Sequence, residues 1–185
     1  GYARATNKAS VLLTHLSPGL TNAATGVANA ALDSIPMVVI AGDVPTHYYG
    51  KHPHQEVNLH ADASQSEIYR PFVKRVWRVD SPHLFPEILE KAFALAESGR
   101  PGPVLVDVPM DIFSKEIDVA LWKQVQLNAR TVQKPSLDDE TAGKIVRQLL
   151  AAKTPVLYVG GGILLADAAQ EMREFAERLS LPVAH

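Results

Sequence analysis

Two short apolar runs, Val11-Leu12-Leu13-Thr14-His15 and Pro36-Met37-Val38-Val39-Ile40-Ala41, bracket an alanine-rich stretch in which Leu20, Ala23, Ala24, Val27, Ala30 and Ala31 recur at helical spacing. A strand, a helix with a small-residue face and a second strand in that order constrain this chain more than any other feature. Such a unit predicts a parallel sheet with the helix packed close across one face. The turn after the first run, Ser17-Pro18-Gly19-Leu20-Thr21-Asn22, is polar and sits at a strand's carboxyl end, where open parallel sheets bind their ligands.

The same alternation continues along the chain. Strands are expected at 10–15, 36–41, 72–79, 103–108 and 155–160, each a β-branched or apolar run between amphipathic stretches, which is the pattern of an α/β fold with an open parallel sheet flanked by helices. Phe85, Ile88, Leu89, Ala92, Leu95 and Ala96 make a second helical stripe, and Gly99 followed by Pro101 supplies its stop. From Asp111 to about Pro135 the period is lost, so we expect a first domain over 1–112, an inter-domain linker over 113–135, and the beginning of a second α/β domain over 136–185. Ser136 with Asp139 suggests a capping box ahead of Ile145, Val146, Leu149 and Leu150. Gly160-Gly161-Gly162 then follows a strand and precedes the apolar face Ala168, Met172, Phe175, Ala176 and Leu179. Those glycines read either as a plain turn or as a place where backbone amides approach a phosphate.

Composition narrows the function classes. The 185 residues carry a formal charge of −2 with no Lys/Arg run, which leaves no electrostatic footprint for nucleic acid or an anionic membrane and points to small-molecule chemistry. There is no cysteine, so disulfides and thiolate metal sites are excluded, in keeping with a cytoplasmic protein. No apolar run approaches the roughly 20 residues of a bilayer span. Gly1-Tyr2-Ala3-Arg4-Ala5 reads like a helix already under way and Pro182-Val183-Ala184-His185 like a strand in progress, so a piece of a longer protein is expected.

Four places hold residues suited to chemistry. His15 closes the first strand beside the polar turn, and is either a hydrogen-bonded strand-end histidine or a proton carrier. The stretch Thr46 to Glu56, with His47, His52, His54 and Gln55, is rich in histidine and aromatics; a solvated loop, a substrate-facing loop and a metal site are its three readings. Lys74 is an isolated charge in a strand pattern, an outward-facing edge residue or a functional cation. No G-x-S-x-G, P-loop or H-E-x-x-H occurs, which removes the usual support for hydrolase-elbow, NTPase and zinc-protease chemistry.

Gly1-Tyr2-Ala3-Arg4-Ala5, Ser17-Pro18-Gly19-Leu20-Thr21-Asn22-Ala23, Gly42-Asp43-Val44-Pro45, His54-Gln55-Glu56 and Gly99 through Pro109, in that order, resemble the thiamine-diphosphate-dependent enzymes of the acetolactate synthase, benzoylformate decarboxylase and pyruvate oxidase group. Thr154 through Val183 resembles the start of that family's central domain. The resemblance implies a pyrimidine-binding domain lacking its N-terminal part, with thiamine diphosphate and magnesium as cofactors; FAD use is left open and nothing in the sequence indicates it. It implies a 2-oxo acid as small-molecule substrate for a decarboxylase or carboligase, and a homodimer or homotetramer, because the cofactor lies between domains of two subunits. By position, His15 and Gln55 fall to catalysis, Gly19 and Asn22 to cofactor binding, and His54 and Lys74 to substrate binding. His54 departs from acetolactate synthase, which has phenylalanine there. The family's activating glutamate falls upstream of Gly1 and its diphosphate and metal motif falls downstream, so these residues alone are expected to be inactive. A non-catalytic assembly relative and a member acting on a coenzyme A thioester are the alternatives.

Overall fold

The computed structural model describes residues 1–51, 55–57, 64–125 and 136–185, and the chain divides into two compact units, Gly1–Gln133 and Lys134–His185. The first unit is built on a four-stranded sheet. Helix α1 (Tyr2–Thr6) leads into β1 (Ser10–His15), α2 (Leu16–Leu32), β2 (Met37–Asp43), β3 (Val76–Arg78), α3 (Phe85–Glu97) and β4 (Pro103–Pro109). The strand order is β1-β2-β4-β3, with every pairing parallel. The expected open parallel sheet flanked by helices is therefore found.

Burial explains which runs became strands. β4 is buried at every position, as a central strand with both faces covered must be, whereas edge strand β1 alternates and leaves Val11 57% and Leu13 71% exposed. On one face α2 sets Leu20 and Val27 against Val39, Ala41 and Leu105, with Tyr69 sealing the cluster. A fully buried leucine such as Leu20 contributes about 2 kcal/mol by removal from water. The phenol of Tyr69 donates to the carbonyl of Leu20 at 2.8 Å, so the buried hydroxyl is satisfied. On the other face Ala92 and Ala96 of α3 lie over Val38, Val104, Val106 and Val108.

Two expectations about this unit need correction. The run 72–79 is a strand only at Val76–Arg78; Pro71 opens no ladder donor and residues Arg70–Phe72 form a 3-10 turn instead. The segment after β4 is not a bare crossing up to residue 125. It forms α4 (Met110–Phe113) and α5 (Val119–Gln124), the latter capped by Asp118 accepting from the Ala120 amide at 2.8 Å. Phe113 and Trp122 meet Phe85 edge-on, with centroids 5.9 and 6.1 Å away. Two anchors nine residues apart leave no periodic signal, which is why the sequence hides them.

The second unit contains α6 (Asp139–Ala151), β5 (Leu157–Tyr158), α7 (Gly162–Leu165), α8 (Ala169–Leu179) and β6 (Val183–Ala184), with β5 and β6 parallel. The N-cap of α6 is Asp138, accepting from the Thr141 amide at 2.8 Å, and not Ser136: a carboxylate directly before the helix outcompetes a hydroxyl two residues farther back. None of Gly160, Gly161 and Gly162 has a positive φ, and a Cβ on any of them would meet nothing within 4 Å, so neither strain nor crowding within this unit calls for glycine there. Among the described residues no helix is long and apolar enough to cross a membrane.

Candidate active-site wall

β1 ends at His15, which takes an extended backbone (φ −120°, ψ 115°) and starts α2 without a side-chain cap bond. Leu16 then adopts φ 51°, a left-handed conformation that costs a non-glycine residue about 1–2 kcal/mol. Its side chain is nearly fully buried, and that burial holds the strained corner in place. The corner turns the exposed His15 imidazole over the neighbouring strand, where Gly42 is its register partner and a Cβ on Gly42 would lie 3.6 Å from Nδ1.

Gly19 is explained by packing. A Cβ there would lie 3.1 Å from the Cβ of Thr14 and 3.4 Å from its carbonyl carbon, so only glycine lets the first turn of α2 lie this close to β1. Asn22, one turn further on, is exposed. His54 lies outside the described residues. Gln55 is exposed, and its segment is tied to the turn because the Val57 amide donates to Ser17 Oγ at 3.0 Å. The structure thus gathers His15, Gly19, Asn22 and the Gln55 segment around the carboxyl end of β1.

Lys74 is not among them. Its amide bonds the carbonyl of Pro103 at the start of β4, five residues below Val108, or about 16 Å along the strand direction from the level of His15. Its ammonium donates to the carbonyls of Leu95 and Ser98 at the end of α3. In this unit Lys74 caps a helix at the end of the sheet remote from the turn, because α3 runs antiparallel to the strands.

Beneath the turn lies a buried polar layer that sequence reasoning missed. Thr14, Ala41, Asp107 and Arg78 are register partners across all four strands. The carboxamide of Gln65, itself buried, lies over this row: Nε2 donates to the Gly42 carbonyl and to Asp107 Oδ1, both at 3.0 Å, and Oε1 accepts from Ser17 Oγ at 3.3 Å. Arg78 donates to Asp43 Oδ2 at 3.1 Å and to the Tyr49 hydroxyl at 3.1 Å, with its guanidinium 3.7 Å above the Tyr49 ring. Asp43 also accepts from the Val44 amide at 2.8 Å. Thr46 gives its amide and hydroxyl to Asp111, at 2.9 and 2.6 Å.

Burial, reinforced by the charge of Asp43, pushes the Asp107 carboxyl up to about 7, opposed by the Gln65 bond and Arg78. Burial also raises Asp43, opposed by the Val44 amide and Arg78. Among the described residues, Asp107 Oδ2 and Thr14 Oγ1 are buried without a hydrogen-bond partner. One signal of this layer was legible: Asp107 is the only charge in the otherwise apolar run Pro103–Val108, and a charge in a fully buried strand needs a reason. Gln65 carried no such signal. Among the described residues no group of three His, Cys, Asp or Glu side chains is placed to hold a metal ion.

A polar strand-to-helix corner at the carboxyl end of a parallel strand lies where open α/β sheets bind their ligands. Residues 1–65 match the family described as thiamine pyrophosphate enzyme, N-terminal TPP binding domain, and residues 142–185 match its central domain. The chain is 40% identical over 184 residues to the acetolactate synthase large subunit of Buchnera aphidicola subsp. Schizaphis graminum, covering 99% of this chain and 31% of that protein. It is 40% identical over 190 residues to the acetolactate synthase isozyme 3 large subunit of Escherichia coli K12, with the same coverage, and 39% identical over 188 residues to the chloroplastic acetolactate synthase of Arabidopsis thaliana, covering 100% of this chain and 26% of that one. This chain belongs to the thiamine pyrophosphate enzyme family. It spans between about a quarter and a third of the length of these relatives.

Proposed function

We propose that this chain forms one wall of a thiamine diphosphate site in a 2-oxo acid carboligase or decarboxylase of the acetolactate synthase type. The observation that carries this reading is the solvent-facing imidazole of His15, set over Gly42 by the strained corner at Leu16, with Asn22 and the Gln55 segment on the same edge. An exposed imidazole, a carboxamide on α2 and a second carboxamide in the loop suit a neutral, hydrogen-bonding ring system. Thiamine diphosphate supplies the electron sink for decarboxylation when bound. His15 would then hold or deliver a proton beside the reacting carbon, Asn22 would orient the ring, and Gln55 would bind the 2-oxo acid, with His54 adjacent in sequence. Gly19 contributes by letting the turn sit tight on β1. Magnesium accompanies the diphosphate in this reading, held by residues other than those described here. The cofactor's second wall belongs to another domain, so a homodimer or homotetramer is the proposed working unit, and the absence of cysteine supports a cytoplasmic setting.

The test is a steady-state assay of the full protein with thiamine diphosphate, magnesium and pyruvate or a longer 2-oxo acid, reading carbon dioxide release. His15→Ala should lower kcat by about 10²-fold with the melting temperature unchanged, since the side chain is exposed. Unaltered kinetics would remove His15 from the chemistry, and failure to decarboxylate any 2-oxo acid would overturn the proposed activity.

A further inference from the structure

The loop that carries Gln55 is fastened on both sides to the same pair of buried carboxyls. Downstream, the Val57 amide donates to Ser17 Oγ, Ser17 Oγ donates to Gln65 Oε1, and Gln65 Nε2 donates to Asp107 Oδ1, at 3.0, 3.3 and 3.0 Å. Every donor and acceptor in that chain has one consistent direction. Upstream, Tyr49 is held by Arg78, and Arg78 by Asp43. The two arms close on neighbouring strands, since Asp43 ends β2 and Asp107 lies near the end of β4.

We propose that Asp107, Gln65, Asp43 and Arg78 act as one positioning unit that sets where Gln55 stands relative to the turn at Ser17, and that this unit works with a proton retained on Asp107. The inference rests on the function proposed above only for the chemistry that Gln55 faces.

The charge count supports the proton. Among the described residues, the ionisable groups that act on the two carboxyls of this layer are Asp43 from β2, Asp107 from β4, Arg78 from β3 and Tyr49 from the loop, with Glu56, whose Oε2 is also buried, in the neighbouring Gln55–Val57 segment. With both carboxyls ionised the layer carries two buried negative charges against one guanidinium; with one proton retained it is neutral, which a low-dielectric interior favours. Hydrogen bonding decides where the proton sits. Asp43 accepts from a cation and a backbone amide, two donors that favour its anion. Asp107 accepts from one neutral carboxamide and its Oδ2 has no partner among the described residues, so a bare anion there would be left poorly compensated. The elevated proton affinity of the Asp107 carboxyl agrees with that assignment.

The sign of the pH dependence follows. A carboxyl whose folded-state proton affinity is raised gives stability that is fully present below its unfolded pKa of about 4 and is lost as pH rises towards its folded value near 7. Asp107→Asn is a neutral isostere of the protonated acid. In the full protein, its melting temperature relative to wild type should climb by about 5 °C between pH 4.5 and 7.5 and then level off. Amide hydrogen exchange supplies the positioning readout. Ser17→Ala and Gln65→Ala should speed exchange at Val57 and across the described loop residues by about tenfold, whereas Asp107→Asn should leave it within about twofold of wild type. A melting-temperature difference that stays flat or falls with pH would overturn the retained proton, and unchanged Val57 exchange in both Ser17→Ala and Gln65→Ala would overturn the positioning unit. Neither readout uses turnover, so these results stand whether or not the full protein decarboxylates a 2-oxo acid.

Discussion

The two ends of the four-stranded sheet handle charge in opposite ways. At the amino end, Lys74 covers the last carbonyls of α3 and Arg100 does the same for α2, donating to the Leu32 carbonyl and to Ser34 Oγ. Both cations are exposed and rest on helix C-termini, a favourable arrangement that water already weakens. At the carboxyl end, Asp43 and Asp107 are essentially removed from solvent, Leu16 holds a left-handed backbone, and Thr14 Oγ1 and Asp107 Oδ2 lack partners among the described residues. Left-handed residues occur at both ends, Asn7 and Ser34 at the amino end and Leu16 at the carboxyl end, so the contrast is one of desolvation: one end trims the fold's loose helix ends with exposed cations, and the other buries carboxyls beneath His15 and the Ser17 turn. Costs of that kind persist where geometry must be held, which is why the carboxyl end and not the amino end reads as functional.

That contrast can be broken by substitution. The largest effect is expected from Arg78→Ala, which strands the Asp43 carboxylate in the interior and should cost about 3 kcal/mol, measured by urea unfolding at pH 7. Gly19→Val comes next. With Thr14 already 3.1 Å from a Cβ at that position, overpacking should cost about 2 kcal/mol and, by lifting the turn from β1, raise KM for the cofactor. The smallest belongs to the amino end: Lys74→Ala should cost about 0.5 kcal/mol through its lost cap, with KM for a 2-oxo acid unchanged. A raised KM in that variant would return Lys74 to the substrate role its sequence position implies and would dissolve the distinction between the two ends.

Much of the scaffold was legible because burial writes a period into the chain. The strands at 10–15, 36–41 and 103–108 and the helices bearing Val27 and Ala92 follow from apolar spacing alone, whereas the pairing of β2 with β4, which passes over β3 in the chain, does not. Where the period fails, so did the reading. Pro71 and the 3-10 turn shortened the run at 72–79, Asp138 took the cap expected of Ser136, and Phe113 and Trp122 docked a segment that looked like a crossing. For the site, the turn residues and His15 stood out by their place after a strand. Gln65 did not, since its partners Ser17, Gly42 and Asp107 are 48, 23 and 42 residues away and a single polar residue in a loop has no local signature.

By itself the sequence determined an α/β chain with a parallel sheet and a polar turn at the end of its first strand, because alternating apolar periods leave the backbone few other ways to bury its side chains. Only the tertiary structure decided that Lys74 belongs to the far end of the sheet, that Gly19 is a packing residue, and that Asp43, Arg78, Gln65 and Asp107 form one layer beneath the turn. Those assignments depend on strand register and helix direction, which bring together groups far apart in the chain and set their electrostatics through burial.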